Sequence, residues 1–191
     1  LKAHYPVEYM AALLSVERNN PEKVGVFVGE CRRLGIPVLP PDVNRSVLDF
    51  GIEPVDSAAP SAKPEAGKSG IRYGLGAIKN LGQGAVELIL RARDQQGPFK
   101  GLADFCRRVD LRQINKRGLE CLIKAGALTP FGERPRLLAS VDRMMGLSEL
   151  YHQASAIGQL GFEAVFAAGP NEEDLLSDPS HAPPVSPKDI Q

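Results

Sequence analysis

The chain has 191 residues, enough for one domain or two small ones, and with 43% apolar and 24% charged residues most of it can bury a core. Its 23 basic and 23 acidic residues cancel, and no stretch approaches the roughly 20 apolar residues of a membrane helix, so no membrane partner is expected. Cys31, Cys106 and Cys121 are odd in number and lack metal-ligand spacing, which excludes a disulfide scaffold and a zinc module and points to reduced thiols in the cytoplasm.

The run Leu1 to Pro6 has neither an initiator Met nor a signal-peptide layout, so the sequence is expected to be a piece of a longer protein. Pro6 suits a first helical position, and Tyr9, Met10, Leu13 and Leu14 recur on one helical face. Asn20-Pro21 supplies the cap and first residue of a second helix, with Val24, Phe27, Cys31 and Leu34 on one face and Gly35 as its stop. The prolines of residues 36–41 force an extended segment.

Residues 47–53 and 70–75 have strand character, which predicts a β-hairpin over 47–75 with a long mobile loop at 54–69. Within that loop, Gly67-Lys68-Ser69 imitates the end of a phosphate-binding P-loop. The earlier glycine is missing, because position 62 is Ala, so a solvated loop is the expected reading. From Ala77 to about Gly146 the pattern is helical, punctuated by Gly82, Gly84, Gly97-Pro98, Gly101, Gly126 and Pro130. After residue 150 the periodicity fades. Residues 169–191 hold five prolines and many acids, which predicts a disordered tail.

The neutral total hides an uneven distribution. Residues 1–71 carry 8 basic and 9 acidic side chains, residues 72–143 carry 14 and 7, and residues 144–191 carry 1 and 7. A basic middle ahead of an acidic end suggests an anionic partner for the middle, with nucleic acid the obvious candidate.

Within that middle, Ile78-Lys79-Asn80-Leu81-Gly82-Gln83-Gly84-Ala85-Val86 reads as a helix end, a tight Gly-x-Gly turn and a second helix. Gly82 and Gly84 are expected to take backbone angles closed to other residues and to leave no side chain between backbone and ligand. The N–H groups of Gly82, Gly84 and Ala85 would then face an anion at a helix N-terminus, with Leu81, Val86 and Ile89 anchoring the turn and Lys79 and Lys100 adding charge. This arrangement resembles the helix-hairpin-helix motif, which implies contacts from Lys79, Asn80, Leu81, Gly82, Gln83, Gly84 and Ala85 to the DNA backbone, without base specificity. An ordinary helical turn with glycines for close packing is the alternative. A second, degenerate hairpin follows at residues 109–126. Asn115 is its cap, Gly126 its stop, and Lys116 and Arg117 could touch phosphate, but without a Gly-x-Gly turn a scaffold helix pair is the favoured reading.

Several runs resemble the α subunit family of bacterial DNA polymerase III (C-family DNA polymerases). They are Leu1 to Leu14, Glu30 to Ile36, Leu39 to Asn44, Ile71 to Lys79 and Asn115-Lys116-Arg117. The resemblance covers about residues 1–150 and implies a mainly α fold. It divides the chain into a helical end of the fingers (1–46), a small β-hairpin (47–75), a helix-hairpin-helix region (76–147), and a clamp-binding-like segment with a flexible acidic tail (148–191). It implies a parent DNA-directed DNA polymerase, a nucleotidyltransferase acting in DNA replication on primer-template duplex beside other replicase subunits. The parent's Mg²⁺ ions would sit on palm aspartates before residue 1. Asp42, Asp49 and Asp104 lack a paired-carboxylate context, so no catalytic residue, metal site or cofactor is assigned here and the fragment is expected to be inactive alone.

The resemblance also implies a sliding-clamp contact. Gln159 and Leu160 fit the expected pattern, but Gly161-Phe162 stands where a Leu-Phe pair belongs and Phe166 comes later. A last amphipathic turn packed on the helical body is the alternative. For the chain as a whole, the other reading is a non-catalytic helical scaffold without direct DNA contact.

Overall fold

The computed structural model describes residues 4–55 and 69–157. The element order is α1 (Pro6–Val16), α2 (Pro21–Arg33), β1 (Val38–Leu39), β2 (Gly51–Pro54), β3 (Ser69–Arg72), α3 (Gln83–Gln96), α4 (Leu102–Arg108), α5 (Leu111–Ile114), α6 (Lys116–Ala125), α7 (Arg134–Ala139) and α8 (Val141–Ile157). Single 3-10 turns at Leu75–Ala77 and Thr129–Phe131 complete it. The chain is mainly α with one small sheet, as the sequence implies.

Both opening helices begin on proline, and the Asn20 side chain accepts the Lys23 N–H at 3.2 Å to cap α2. Gly35, at φ 69°, turns the chain out of α2. Of the α2 stripe, Val24 and Cys31 are buried while Leu34 is exposed.

The sheet is more than the expected hairpin. β2 pairs antiparallel with β3 (Ile52 opposite Ile71), and β1 adds a parallel strand on the other side of β3 (Val38 opposite Ile71). The proline-rich extended segment is thus a sheet edge, where a missing N–H is tolerated. The strand assignment also shifts: residues 47–50 lie outside any strand, with a bend at 48–49, and β2 starts only at Gly51. Their carbonyls are used differently, because Val47 and Leu48 accept from the N–H groups of Leu75 and Gly76, each at 2.9 Å. Gly74 and Gly76 allow that approach. A Cβ on Gly74 would lie 2.6 Å from the Asp49 backbone, and one on Gly76 would lie 2.8 Å from the Leu48 oxygen.

Two buried clusters follow. Met10, Leu14, Val24, Cys31, Ile36, Phe50 and Ile71 join α1 and α2 to the sheet. Val86, Ile89, Phe105, Leu111, Leu119, Leu122, Ile123 and Met144 fill the space among α3 to α8. Tyr73 packs on both and meets Phe50 edge-on at 4.8 Å.

Polar contacts fix the junction. Asn44 exchanges two hydrogen bonds with the backbone of Phe99, at 2.7 and 2.9 Å. Arg93 donates from α3 to the carbonyls of Val43 and Ser46, at 3.2 and 2.6 Å. The α8 helix continues through Ile157, past the point where periodicity faded. Its buried Ser148 takes the Leu111 N–H at 3.0 Å and donates to the Val109 carbonyl at 2.9 Å, pinning α8 across the α4–α5 joint.

Candidate nucleic-acid interface

The first hairpin is built from the 3-10 turn at Leu75–Ala77, a turn through Lys79 and Asn80, and the start of α3. Leu81, Val86 and Ile89 are buried and hold it to the larger core, as expected. Gly82 is the N-cap of α3 and supplies no side chain to cap it. The N–H of Val86 reaches the Gly82 carbonyl at 3.2 Å, whereas those of Gln83, Gly84 and Ala85 find no acceptor among the described residues. Three amide donors therefore stand open at the positive end of a 14-residue helix. Gly82, Gln83 and Gly84 are exposed while Ala85 is buried, and the Gln83 side chain turns aside to Glu87 at 2.9 Å, away from the exposed amides.

The glycines do not have the unusual backbone expected of them. Gly82 has φ −68° and ψ 156°, and Gly84 lies in the first helical turn with an ordinary negative φ. The left-handed residue is Asn80, at φ 62°, a conformation Asn tolerates better than most residues. A Cβ on Gly82 or Gly84 would meet nothing within 4 Å. Neither the backbone nor the packing of this chain requires glycine at either position, in contrast to Gly74 and Gly76. What glycine supplies there is open space in front of free amides.

The second hairpin joins α5 to α6 through Asn115, the other non-glycine at positive φ (63°, with ψ 159°). Asn115 caps α6 by accepting the Gly118 N–H at 2.9 Å. Its helix start is thus partly satisfied from within, and what it presents outward is charge. Lys116 and Arg117 are both exposed. Lys116 pairs with Asp142 in the first turn of α8 at 2.5 Å, and that contact raises the lysine pKa above its ordinary value. Arg117 has no ion-pair partner among the described residues, and neither does Lys79.

The hairpins touch one another. The Asn80 side-chain amide donates to Cys121 Sγ on α6 at 3.2 Å, and a Cβ on Gly118 would sit 3.2 Å from the Asn80 carbonyl oxygen. The structure thereby brings Lys79 to Ala85 together with the α6 residues that follow Lys116 and Arg117. Lys100 does not join them. It lies beyond the far end of α3, about 20 Å along the axis at 1.5 Å per residue.

The other sequence candidates are placed as follows. Asp42 accepts the Asn44 N–H at 2.7 Å, Asp49 pairs with Arg18 at 2.5 Å, and Asp104 pairs with Arg108 at 3.0 Å. Among the described residues, no three His, Cys, Asp or Glu side chains converge on a metal-sized site. Ser69 opens β3, while Gly67 and Lys68 lie outside the described residues. The clamp-like residues Gln159, Leu160, Phe162 and Phe166 and the acidic tail also lie outside them. Cys31 and Cys106 are buried, and desolvation pushes the Cys106 thiol up to about 12. Asp142, 26 residues from Lys116, has no local sequence signal; only an acid in a first helical turn marks it.

Comparison with known proteins agrees with this geometry. A family described as a helix-hairpin-helix motif matches residues 35–138, which span both hairpins and the sheet beside them. The chain is 46% identical over 164 residues to the DNA polymerase III subunit alpha of Thermus aquaticus, covering 86% of this chain and 12% of that protein. Against the same subunit of Vibrio cholerae it is 43% identical, covering 90% of this chain and 14% of the relative, and against that of Escherichia coli strain K12 it is 38% identical with the same coverage. The chain thus spans about an eighth of the length of these relatives. It belongs to the helix-hairpin-helix motif family and is similar, over most of its length, to one segment of the DNA polymerase III α subunit.

Proposed function

We propose that the chain grips the sugar-phosphate backbone of duplex DNA without reading its sequence. One observation carries this reading: three uncapped amides at the start of α3 lie behind glycines whose Cβ positions are empty. A phosphate oxygen seated there accepts from the amides and meets the positive helix end. Lys116 and Arg117 supply charge from the second helix start, and Lys79 supplies it from the turn. All of these groups recognise phosphate, which every base pair carries, so the grip has no base preference.

The names of the relatives support a DNA polymerase as the wider setting; template-directed synthesis in the cytoplasm beside other replicase subunits is part of the proposal. Asp42, Asp49 and Asp104 are each committed to structural contacts and do not suit a two-metal site. The Mg²⁺ ions of the parent reaction belong on carboxylates outside this chain, and the chain alone adds no nucleotide to a primer. Incorporation by the pure chain in a Mg²⁺ primer-extension assay would refute that. Gln159 and Leu160, with Phe162 or Phe166, remain the residues proposed to reach a sliding clamp; a peptide of residues 154–168 that shows no clamp binding at high micromolar concentration would end that part.

The central reading is tested by salt. Log affinity for duplex DNA should fall linearly with log salt, by about 0.9 per phosphate neutralised, and with the same slope on unrelated sequences. A helical scaffold without DNA contact would show no binding even at low salt.

A further inference from the structure

The pairing of Lys116 assigns a role to a residue outside both hairpins. Lys116 occupies the first position of α6, where its ammonium stands beside the exposed helix start, and its Nζ lies 2.5 Å from Asp142 Oδ1. The two side chains are 54% and 81% exposed, so both ions remain hydrated and the pair can exchange partners readily. A buried pair would be fixed.

The carboxylate of Asp142 accepts no other hydrogen bond among the described residues. Lys124, about two turns further along α6, is occupied with Glu120 at 3.5 Å, and Arg117 has no ion-pair partner among the described residues. Of the two cations that open α6, one is therefore held by an acid from α8 and one is not.

We infer that Asp142 is an electrostatic gate on the second hairpin, holding the Lys116 ammonium in the free protein and yielding it to a DNA phosphate on binding. This rests on the DNA-backbone reading above. Carboxylate and phosphodiester oxygens compete for the same ammonium, so each must displace the other. The displaced Asp142 then stands as a like charge beside the bound phosphate. Both effects weaken the grip at this hairpin while leaving the amides of the first untouched. The gate makes the second contact reversible, which suits a protein that must hold DNA while moving along it.

The test is a double-mutant cycle on duplex binding by the 191-residue chain at about 50 mM salt. Asp142→Asn keeps the side-chain shape, removes its charge and should tighten binding about two- to fivefold, the scale of a surface ion pair. Because Lys116 reaches the same phosphate in both chains, the salt slope should change by less than the about 0.9 of one added contact. In the Lys116→Gln background the same change should have less than half that effect, because the cation to be released is gone. Asp142→Glu, which keeps the charge, should bind like the parent.

Equal effects of Asp142→Asn with and without Lys116 would overturn the gate and leave only a general charge effect. Unchanged affinity for Asp142→Asn would also overturn it while leaving the DNA reading standing. If the parent chain binds no duplex at low salt, the DNA reading and the gate fall together.

Discussion

Replacing Gly84 with Ala should move stability and DNA affinity in opposite directions. The residue is helical, its φ is ordinary, and a Cβ there meets nothing within 4 Å. Alanine is favoured over glycine inside a helix by about 0.5–1 kcal/mol, because it restricts the unfolded chain more than the folded one. No contact in this structure offsets that gain. For a chain of this size, a gain on that scale raises Tm by about 1–4 °C.

The binding side follows from direction. A helical Cα–Cβ bond tilts toward the helix N-terminus, so the new methyl projects into the space in front of the free amides of α3. A phosphate held there must retreat, losing one or more amide hydrogen bonds to a charged acceptor, each contributing about 1.5–3 kcal/mol. The expected loss of affinity is about tenfold or more. Thermal melts and fluorescence-anisotropy titrations of the same preparation read both quantities. A Gly84→Ala chain that is more stable and binds duplex DNA as tightly as the parent would show that phosphate does not sit at this turn. A loss of stability would show that the space is not empty.

Gly82→Ser supplies the missing N-cap of α3: the hydroxyl should take one free amide, leave stability unchanged or higher by a few tenths of a kcal/mol, and weaken DNA binding several-fold by competition, read by the same titration. Asn115→Ala should cost about 2 kcal/mol in urea unfolding, because it removes the Gly118 cap and puts a Cβ-bearing residue without a local hydrogen bond at φ 63°, whereas Asn115→Gly should cost only a few tenths. Asp110, which caps α5 and grips the Arg112 side chain, has its pKa lowered to about 2. Its folded value lies below the ordinary carboxylate value, so its contribution is full above about pH 4 and is lost as pH falls from 4 to 2. Asp110→Asn should flatten that part of the stability–pH curve, and an unchanged curve would remove the role.

The helices were legible where the sequence punctuates itself. Pro6, Asn20-Pro21, Asn115 and Gly126 each mark an end by local chemistry, and the structure puts helix ends at those places. The sheet was less legible, because its register depends on residues far apart. Residues 47–50 have strand-like character, yet the carbonyls of Val47 and Leu48 serve the amides of Leu75 and Gly76 outside any ladder, and β1 pairs with a strand more than 30 residues later. In the hairpin the assignment of strain did not hold. Glycine suggests left-handed backbone, but Asn80 takes that angle, and no pattern within the motif says which of several permissive residues will turn. The Lys116–Asp142 pair was invisible, since it depends on how α8 crosses α6.

The contacts at Gly74 and Gly76 have a mechanical consequence. There the strand-side segment and the lead-in to the first hairpin meet backbone to backbone, with the Leu48 side chain packed beside Gly76. Asn44, clasping the backbone of Phe99, and Arg93, reaching across from α3, brace the same joint from the other end of that helix. A compliant joint would let the hairpins follow the DNA while the sheet stayed behind. If the amides of α3 hold a phosphate as proposed, a pull there is carried by backbone contacts toward β3 and, through Tyr73, toward the small core beneath α1 and α2. On the proposed DNA reading the segment would work as a lever, with its stiffness in two glycines remote from the amides of α3.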